Sequence, residues 1–353
     1  MLELNHILQH AVQVGASDTH LVPGHYPMME VHKHLEAVQQ FEVITPQDSE
    51  RMCAQMIGAE GMKGLAEKRD WDFSYTLPGV CRFRVNAHYQ RGVIGLCFRT
   101  ISAVVPELEV LGLPPIVQQF AHVPRGLILV TGPTGSGKST TLASLIQRIN
   151  TTQRKHIITV EDPVEYELTS QSSLIEQREL GQDVPSFASG LKHALRQAPD
   201  VILVGEMRDL ETTSAAITAA ETGHLVFSTL HTQSASQTIE RIVDIYPGDQ
   251  QRYILSLLAN TLQAVVTQTL FKRADGAGMI PALEVMTCSN GIRNCIRENR
   301  LHEIPNIIET SRQLGMCSMD ESIKALYLNG YITLESALEK TLNPAKFRKS
   351  VGV

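Results

Sequence analysis

The chain has 353 residues, of which 43% are hydrophobic and 19% charged, and its formal net charge is −6. That length suggests two domains with a sizeable core, and the composition is that of an ordinary globular protein. No apolar run approaches the ~18 residues a spanning helix needs, the opening Glu3, His6, Gln9, His10, Gln13 and Asp18 leave no signal-peptide core, and no long run of one charge marks a dedicated nucleic-acid binder, so a cytoplasmic protein is expected.

Residues 1 to about 100 form one block. Leu4, Ile7, Leu8, Val12 and Val14 predict an opening helix that ends near Gly15. Strand-like runs follow at Asp18–Val22, Tyr26–His32 and Leu35–Phe41. Helices are predicted over Pro46–Ile57 and Glu60–Arg69, with Pro46 at a start position. Cys81 to Tyr89 alternates: Cys81, Phe83, Val85, Ala87 and Tyr89 share one face, while Arg82, Arg84, Asn86 and His88 share the other. Arg91–Gly92 turns, and Val93–Ile101 returns as a strand that carries Arg99. The block reads as α+β with antiparallel strands. Residues 102–115 hold Pro106, Pro114 and Pro115 and read as a linker.

From Ile116 strands and helices alternate, which predicts a parallel sheet. Strands are expected at Gly126–Thr131, His156–Glu161, Val201–Gly205, Leu225–Leu230 and Ile280–Val285. Helices are expected at Lys138–Ile149, Phe187–Gln197, Leu210–Thr222, Ala235–Tyr246 and, as one long element, Gln250–Phe271. Ser234-x-x-Gln237 and Ser318-x-x-Glu321 read as capping boxes. Beyond Thr287 the pattern is helical. The six cysteines, Cys53, Cys81, Cys97, Cys288, Cys295 and Cys317, include no C-x-x-C pair, so they read as packed thiols rather than a zinc site.

The chemistry centres on Gly132-Pro133-Thr134-Gly135-Ser136-Gly137-Lys138-Ser139-Thr140, which fits G-x-x-x-x-G-K-[ST]. It follows an apolar strand and opens a helix with Leu142, Leu145, Ile146 and Ile149 on one face. In that context the glycines let backbone N–H groups turn around phosphates at the helix N-terminus. Lys138 can then reach the β- and γ-phosphates, and Ser139 can ligand Mg²⁺.

Three more strand ends carry reactive groups. Val201–Val204 runs into Gly205-Glu206. A carboxylate there sits beside the metal and the attacking water in P-loop enzymes, so Glu206 reads as the water-activating residue. Glu161-Asp162-Pro163-Val164-Glu165 follows another strand. Glu165 is either a second water-positioning or Mg²⁺-shell group or part of an acidic loop begun by Pro163. Thr222-Gly223-His224 and Ser228-Thr229-Leu230-His231 flank a third strand. His231 at its exit can sense a γ-phosphate or serve as a structural donor.

In order along the chain, the P-loop, the Glu161–Tyr166 acid box, the Val201–Asp209 strand and the Thr222–Thr232 histidine box resemble the secretion ATPase superfamily. Within it the sequence looks most like the type IV pilus retraction (twitching motility) ATPases. Gly15-Ala-Ser-Asp-Thr-His-Leu21, Leu111-Gly-Leu-Pro-Pro115 and Gly291-Ile-Arg-Asn-Cys-Ile-Arg-Glu298 also fit that pattern. The resemblance implies an α/β fold: an N-terminal PAS-like α+β domain over residues 1–101, a linker over 102–115, and a RecA-like P-loop ATPase domain over 116–353 with a helical C-terminal region from about 288. It implies a homohexameric motor that uses ATP and Mg²⁺ to power pilus retraction or, as the alternative, a paralogous pilus or type II/IV secretion ATPase. The expected partner is an inner-membrane pilus platform protein, with no direct nucleic-acid contact. The expected location is cytoplasmic, peripheral at the inner face of the cytoplasmic membrane.

By motif match, Glu206 and Glu165 correspond to the catalytic and acid-box glutamates. His224 and His231 form the histidine-box pair, and Arg84 and Arg99 are the arginines that reach the phosphates of a neighbouring subunit. Ile292, Arg293, Asn294, Ile296, Arg297 and Glu298 lie in the segment that resembles the retraction members. As a helix it has one apolar stripe and one arginine stripe. It either packs on its own domain or transmits motion to a partner. In the second case, replacing Arg293 and Arg297 is expected to spare ATPase activity. Two other functions compete with the motor: a nucleic-acid translocase and a nucleotide-gated regulatory ring. The acidic balance counts against the first, and intact Lys138, Ser139 and Glu206 count against the second.

Overall fold

The computed structural model describes residues 2–31, 34–101, 104–276, 278–341 and 343–352. His32 and Ser102, at the ends of an expected strand and the expected linker, lie outside them. The chain divides into two compact units, Met1–Val104 and Val105–Val353.

The first unit runs α1 (Leu4–Gln13), β1 (Asp18–Leu21), β2 (Met28–Val31), β3 (His34–Ala37), α2 (Pro46–Lys68), β4 (Asp70–Leu77), β5 (Cys81–Gln90) and β6 (Val93–Ile101). Its six strands form one antiparallel sheet in the order β3-β2-β1-β6-β5-β4. The alternation in β5 does what it promised: Phe83, Val85 and Ala87 are buried in the core with Leu8, Met52, Leu65 and Phe98, and Arg84 is exposed. The two helices expected in the middle of this block join as α2 across a kink at Gly58, which takes φ 65° and ψ −174°. Thr45 caps that helix reciprocally with Asp48. β4 is an element the sequence reading passed over. Trp71, Phe73, Tyr75 and Leu77 alternate along it, but Arg69 ends α2 in the left-handed conformation with no glycine to mark the break.

The second unit runs α3 (Pro115–Gln119), β7 (Gly126–Thr131), α4 (Lys138–Thr152), β8 (His156–Glu161), β9 (Leu174–Glu179), α5 (Phe187–Ala194), β10 (Val201–Val204), α6 (Leu210–Glu221), β11 (Leu225–Leu230), α7 (Ala235–Asp244), α8 (Gly248–Thr261), β12 (Leu262–Lys272), β13 (Met279–Thr287), α9 (Asn290–Arg297), α10 (Ile304–Thr310), α11 (Met319–Leu328), α12 (Leu334–Lys340) and α13 (Pro344–Val351). Its sheet has the order β13-β12-β7-β11-β10-β8-β9 and is parallel except for the β12–β13 pair. Strands β7, β10 and β11 are buried along their whole length, as a sheet covered by helices on both faces requires.

Three expectations change here. The long helix over Gln250–Phe271 is in fact α8 followed without a loop by β12. Val265, Val266, Thr267 and Thr269 are β-branched or strand-prone, and pairing with both β7 and β13 overrides helix periodicity. The expected linker is largely part of this unit: Leu108 and Leu113 are buried in its core, and Ser144 Oγ donates to the Pro106 carbonyl at 2.7 Å. Neither later capping box closes on itself. Ser234 accepts from Gln237 N–H, but the Gln237 side chain accepts from Gln233 rather than from the cap residue. Ser318 accepts from Glu321 N–H, and the Glu321 carboxylate pairs with Arg312.

Candidate active site at the carboxyl edge of the parallel sheet

Parallel β7, β8, β10 and β11 are neighbours or near neighbours in the sheet, so everything that follows their C-terminal ends collects along one edge. The P-loop follows β7, the acid box β8, Glu206 β10 and His231 β11.

In the P-loop, Gly132 and Gly137 adopt φ of 135° and 88°. A Cβ on Gly132 would lie 2.2 Å from the Gln268 carbonyl oxygen of β12, so no other residue fits there. Lys138 is 9% exposed, and its Nζ donates to the Gly132 and Pro133 carbonyls at 2.9 and 3.0 Å. Burial pulls its pKa down, while the negative charges of Glu165 and Glu206 push it back up. Ser136 Oγ is buried without a hydrogen-bond partner. A buried orphan hydroxyl, a lysine parked on loop carbonyls and a helix N-terminus together fit a nucleotide's phosphates.

The acid box is fastened to the start of α4 and to β9. Thr140 Oγ1 and Tyr166 Oη lie 3.0 Å apart. Gln177 Oε1 accepts from Leu168 N–H at 2.7 Å, and its amide nitrogen donates to the Tyr166 carbonyl at 2.9 Å and to Glu161 at 3.3 Å. Val164 N–H donates to the Glu179 carboxylate at 3.1 Å. Burial raises the Glu161 carboxyl to about 7; Gln177 works against that shift, and the charge of Glu165 adds to it. Ser139, Glu161, Glu165, Tyr166, Gly205 and Thr229 line one cavity between the P-loop helix and the acid box.

Glu206 is held differently. Arg208 Nε lies 2.7 Å from Glu206 Oε1, and His231 Nε2 lies 3.4 Å from Oε2. The three line a cleft of about 590 Å³ with Gln237 and Arg241. Glu206 and His231, read separately from the sequence, therefore meet. His224 does not join them. It precedes β11, with Nδ1 2.9 Å from the Ala219 carbonyl oxygen, and the six-residue strand separates it from His231 by roughly 20 Å.

Arg84 and Arg99 are direct cross-strand neighbours in the first unit, both exposed. Arg99 Nε donates to Asp18 at 2.9 Å. In α9, Ile292, Cys295 and Ile296 are buried and Asn294 and Arg297 are exposed, as is Glu298 at its C-cap. Arg297 reaches the Asn260 side chain at 3.4 Å, and Arg293 is held more firmly. Its guanidinium donates to the Ala259 and Asn260 carbonyls at the end of α8, at 2.6 and 3.2 Å, and to Gln263 at 3.2 Å. The paired Arg293 and Arg297 change therefore mixes a structural cap with an exposed charge, and the expectation that it spares the ATPase no longer follows.

Gln177, Arg208 and Gln268 are site residues the sequence reading missed. Arg208 stands two residues after Glu206 and was within reach of a local reading. Gln177 and Gln268 act across 9 to 127 positions of chain, on strands that were not expected, and carried no local signal.

A glycine loop that cradles phosphate beside a strand-end glutamate, on a RecA-like parallel sheet, defines a P-loop ATPase. Residues 2–324 match the family model described as Type II/IV secretion system protein. The chain is 43% identical to the type IV pilus retractation ATPase PilT of Pseudomonas aeruginosa, over 98% of this chain and 100% of that one. It is 45% identical to a twitching motility protein of Neisseria gonorrhoeae, over 90% of this chain and 84% of the relative. A crystal structure of the pilus retraction motor PilT with bound ADP superposes with a TM-score of 0.93 at 43% identity, covering 99% of this chain and 100% of that one. The chain belongs to the Type II/IV secretion system protein family.

Proposed function

We propose that this chain is an ATP-hydrolysing motor that powers type IV pilus retraction. The observation that carries the reading is that its likeness to the retraction motor runs the full length of both chains, through both units and α9. Bound Mg²⁺ would neutralise the negative charge that develops on the phosphates during transfer. Among the described residues no group of three or more His, Cys, Asp or Glu side chains is placed to cage a metal. The ion would therefore arrive with the nucleotide and be met by the Ser139 hydroxyl and by waters.

Backbone N–H groups of Gly132–Thr140 hold the phosphates, and Lys138 moves from its loop carbonyls to the β- and γ-oxygens. Glu206 orients the attacking water and takes its proton. Glu165 steadies that water or the metal's shell, and His231, beside Glu206, registers the state of the γ-phosphate. Arg84 and Arg99 supply positive charge to a neighbour's nucleotide in a homohexameric ring. Such a ring would work at the inner face of the cytoplasmic membrane against a platform protein; no described helix is long and apolar enough to cross a membrane.

A deletion strain should keep surface pili and lose their retraction, with rescue by the wild-type gene but not by Glu206→Gln. Retraction at normal speed in that strain would refute the assignment. For the shared arginines, mixing Arg84→Ala subunits with Lys138→Ala subunits should restore part of the ATPase activity that each lacks alone. No recovery at any ratio would place the arginines outside the neighbour's site.

A further inference from the structure

We propose that Thr229 is the positioning residue that sets Glu206 in place for hydrolysis. The inference rests on the reading of Glu206 as the water-activating carboxylate. Thr229 is the fifth residue of β11, 6% exposed, and its hydroxyl is bonded to backbone rather than to the Glu206 carboxylate. It grips the backbone on both sides instead. Its hydroxyl donates to the Gly205 carbonyl at 2.6 Å, and its own carbonyl accepts from Met207 N–H at 3.2 Å.

These bonds lie where the regular ladder has run out. The β10–β11 register ends at Val204 opposite Ser228, so the turn that carries Glu206 is beyond sheet pairing on that side. On the other side Gly205 N–H donates to the Val160 carbonyl of β8 at 2.8 Å. Among the described residues, three hydrogen bonds tie the backbone of the turn to its neighbouring strands, and the Thr229 hydroxyl makes the one that comes from a side chain. The same residue stands two positions before His231, whose ring meets Glu206. It also lines both the cavity under Ser139 and Glu165 and the cleft of Glu206 and His231. A shift at Thr229 would move the glutamate relative to the phosphates on one side and the histidine on the other.

The plain alternative is a buried hydroxyl that takes whichever acceptor is nearest. The preceding residue supplies the contrast. Ser228 is fully buried, and its Oγ has no hydrogen-bond partner. The strand therefore tolerates an idle hydroxyl one residue away, and the two positions make a matched pair for experiment.

The test measures steady-state ATP hydrolysis by the full-length protein, with melting temperature and oligomer size as controls. Thr229→Val keeps the shape and removes the donor. It should lower kcat by about 10- to 100-fold, the cost of a catalytic group displaced by a fraction of an ångström to an ångström. KM should stay within about twofold, because ground-state binding is untouched. Thr229→Ser should regain most of kcat, and Ser228→Ala should leave it unchanged. Adding Thr229→Val to Glu206→Gln should cost little more than Glu206→Gln alone, because both act through one carboxylate.

A Thr229→Val enzyme with kcat within about twofold of wild type would overturn the proposal. So would failure of Thr229→Ser to rescue, or a full additional loss in the double variant. Wild-type turnover by Glu206→Gln alone would remove the Glu206 reading itself, and Thr229 would lose its proposed role with it.

Discussion

Two strand ends place carboxylates along the same edge of the sheet as the P-loop and hold them by opposite means. The turn after β8 folds inward: β9 clamps it through Gln177 and Glu179, and Glu161 leans on a neutral amide in a cavity that raises its pKa to about 7. The turn after β10 opens onto a cleft, and Glu206 sits between Arg208 and His231. That carboxylate is fixed in direction by its basic neighbours. One that is buried beside another acid prefers to hold a proton until a cation arrives. Two acids at equivalent strand ends are thereby given different surroundings.

The comparison breaks most completely at Lys138, which feels the charge of both Glu165 and Glu206. Lys138→Ala should reduce ATP hydrolysis to background in a phosphate-release assay, with nucleotide affinity falling as well. Near wild-type hydrolysis would mean that neither turn serves this loop.

Breaking one side alone should cost less. Glu206→Gln should still bind Mg·ATP and hydrolyse it about 10²–10⁴-fold more slowly. Turnover within about twofold of wild type would shift the base to the other turn, at Glu165.

The inward turn can be read by its pH dependence. The Glu161 carboxyl in the folded protein titrates at about 7, above its ordinary 4.5. A raised acid favours the folded state while protonated. Its contribution is therefore full below about pH 4.5 and is lost as pH rises through about 7. In the absence of nucleotide, Glu161→Gln should flatten the fall in unfolding free energy between these limits by on the order of 2 kcal/mol. Parallel curves for the two proteins would show that the carboxylate is as well solvated as its counterpart.

The smallest effects on turnover are expected in α9. Arg293→Ala should destabilise the folded protein by about 1–3 kcal/mol, because charged hydrogen bonds to the end of α8 are lost. Arg297→Ala should leave melting temperature and purified ATPase activity unchanged and impair retraction in cells. If Arg297→Ala retracts normally, that exposed face has no partner.

How much of this was readable follows from where the information lies. The P-loop, its strand and its helix are contiguous, so nine residues and their flanks declared the site. Glu206 and His231 each ended an apolar run, which placed both at one sheet edge before any contact was known. The junction of α8 and β12 was missed because Ile254, Leu255 and Leu258 keep helical spacing up to it and no glycine or proline marks the change. β9 was missed for another reason. As an edge strand it is partly exposed and carries Glu176, Gln177 and Arg178 where a buried strand would carry valines. The bracing by Thr229, Gln177 and Gln268 depends on which strands become neighbours, and strand order is not written in any local run of residues.

That loopless junction has a mechanical consequence. Thr261 ends α8 and Leu262 begins β12, and the one irregular register position, around Gln263, is tied to Arg293 of α9 and to Cys288 N–H. At the other end, Gln268 of the same strand lies against Gly132 and accepts from Thr141 beside the P-loop. A hinge needs residues free to change their dihedrals, and this path has them neither in a loop nor at the bulge. It is a strut. The phosphate loop and the base of α9 are thus joined through a single run of chain that has no loop between its helix and its strand.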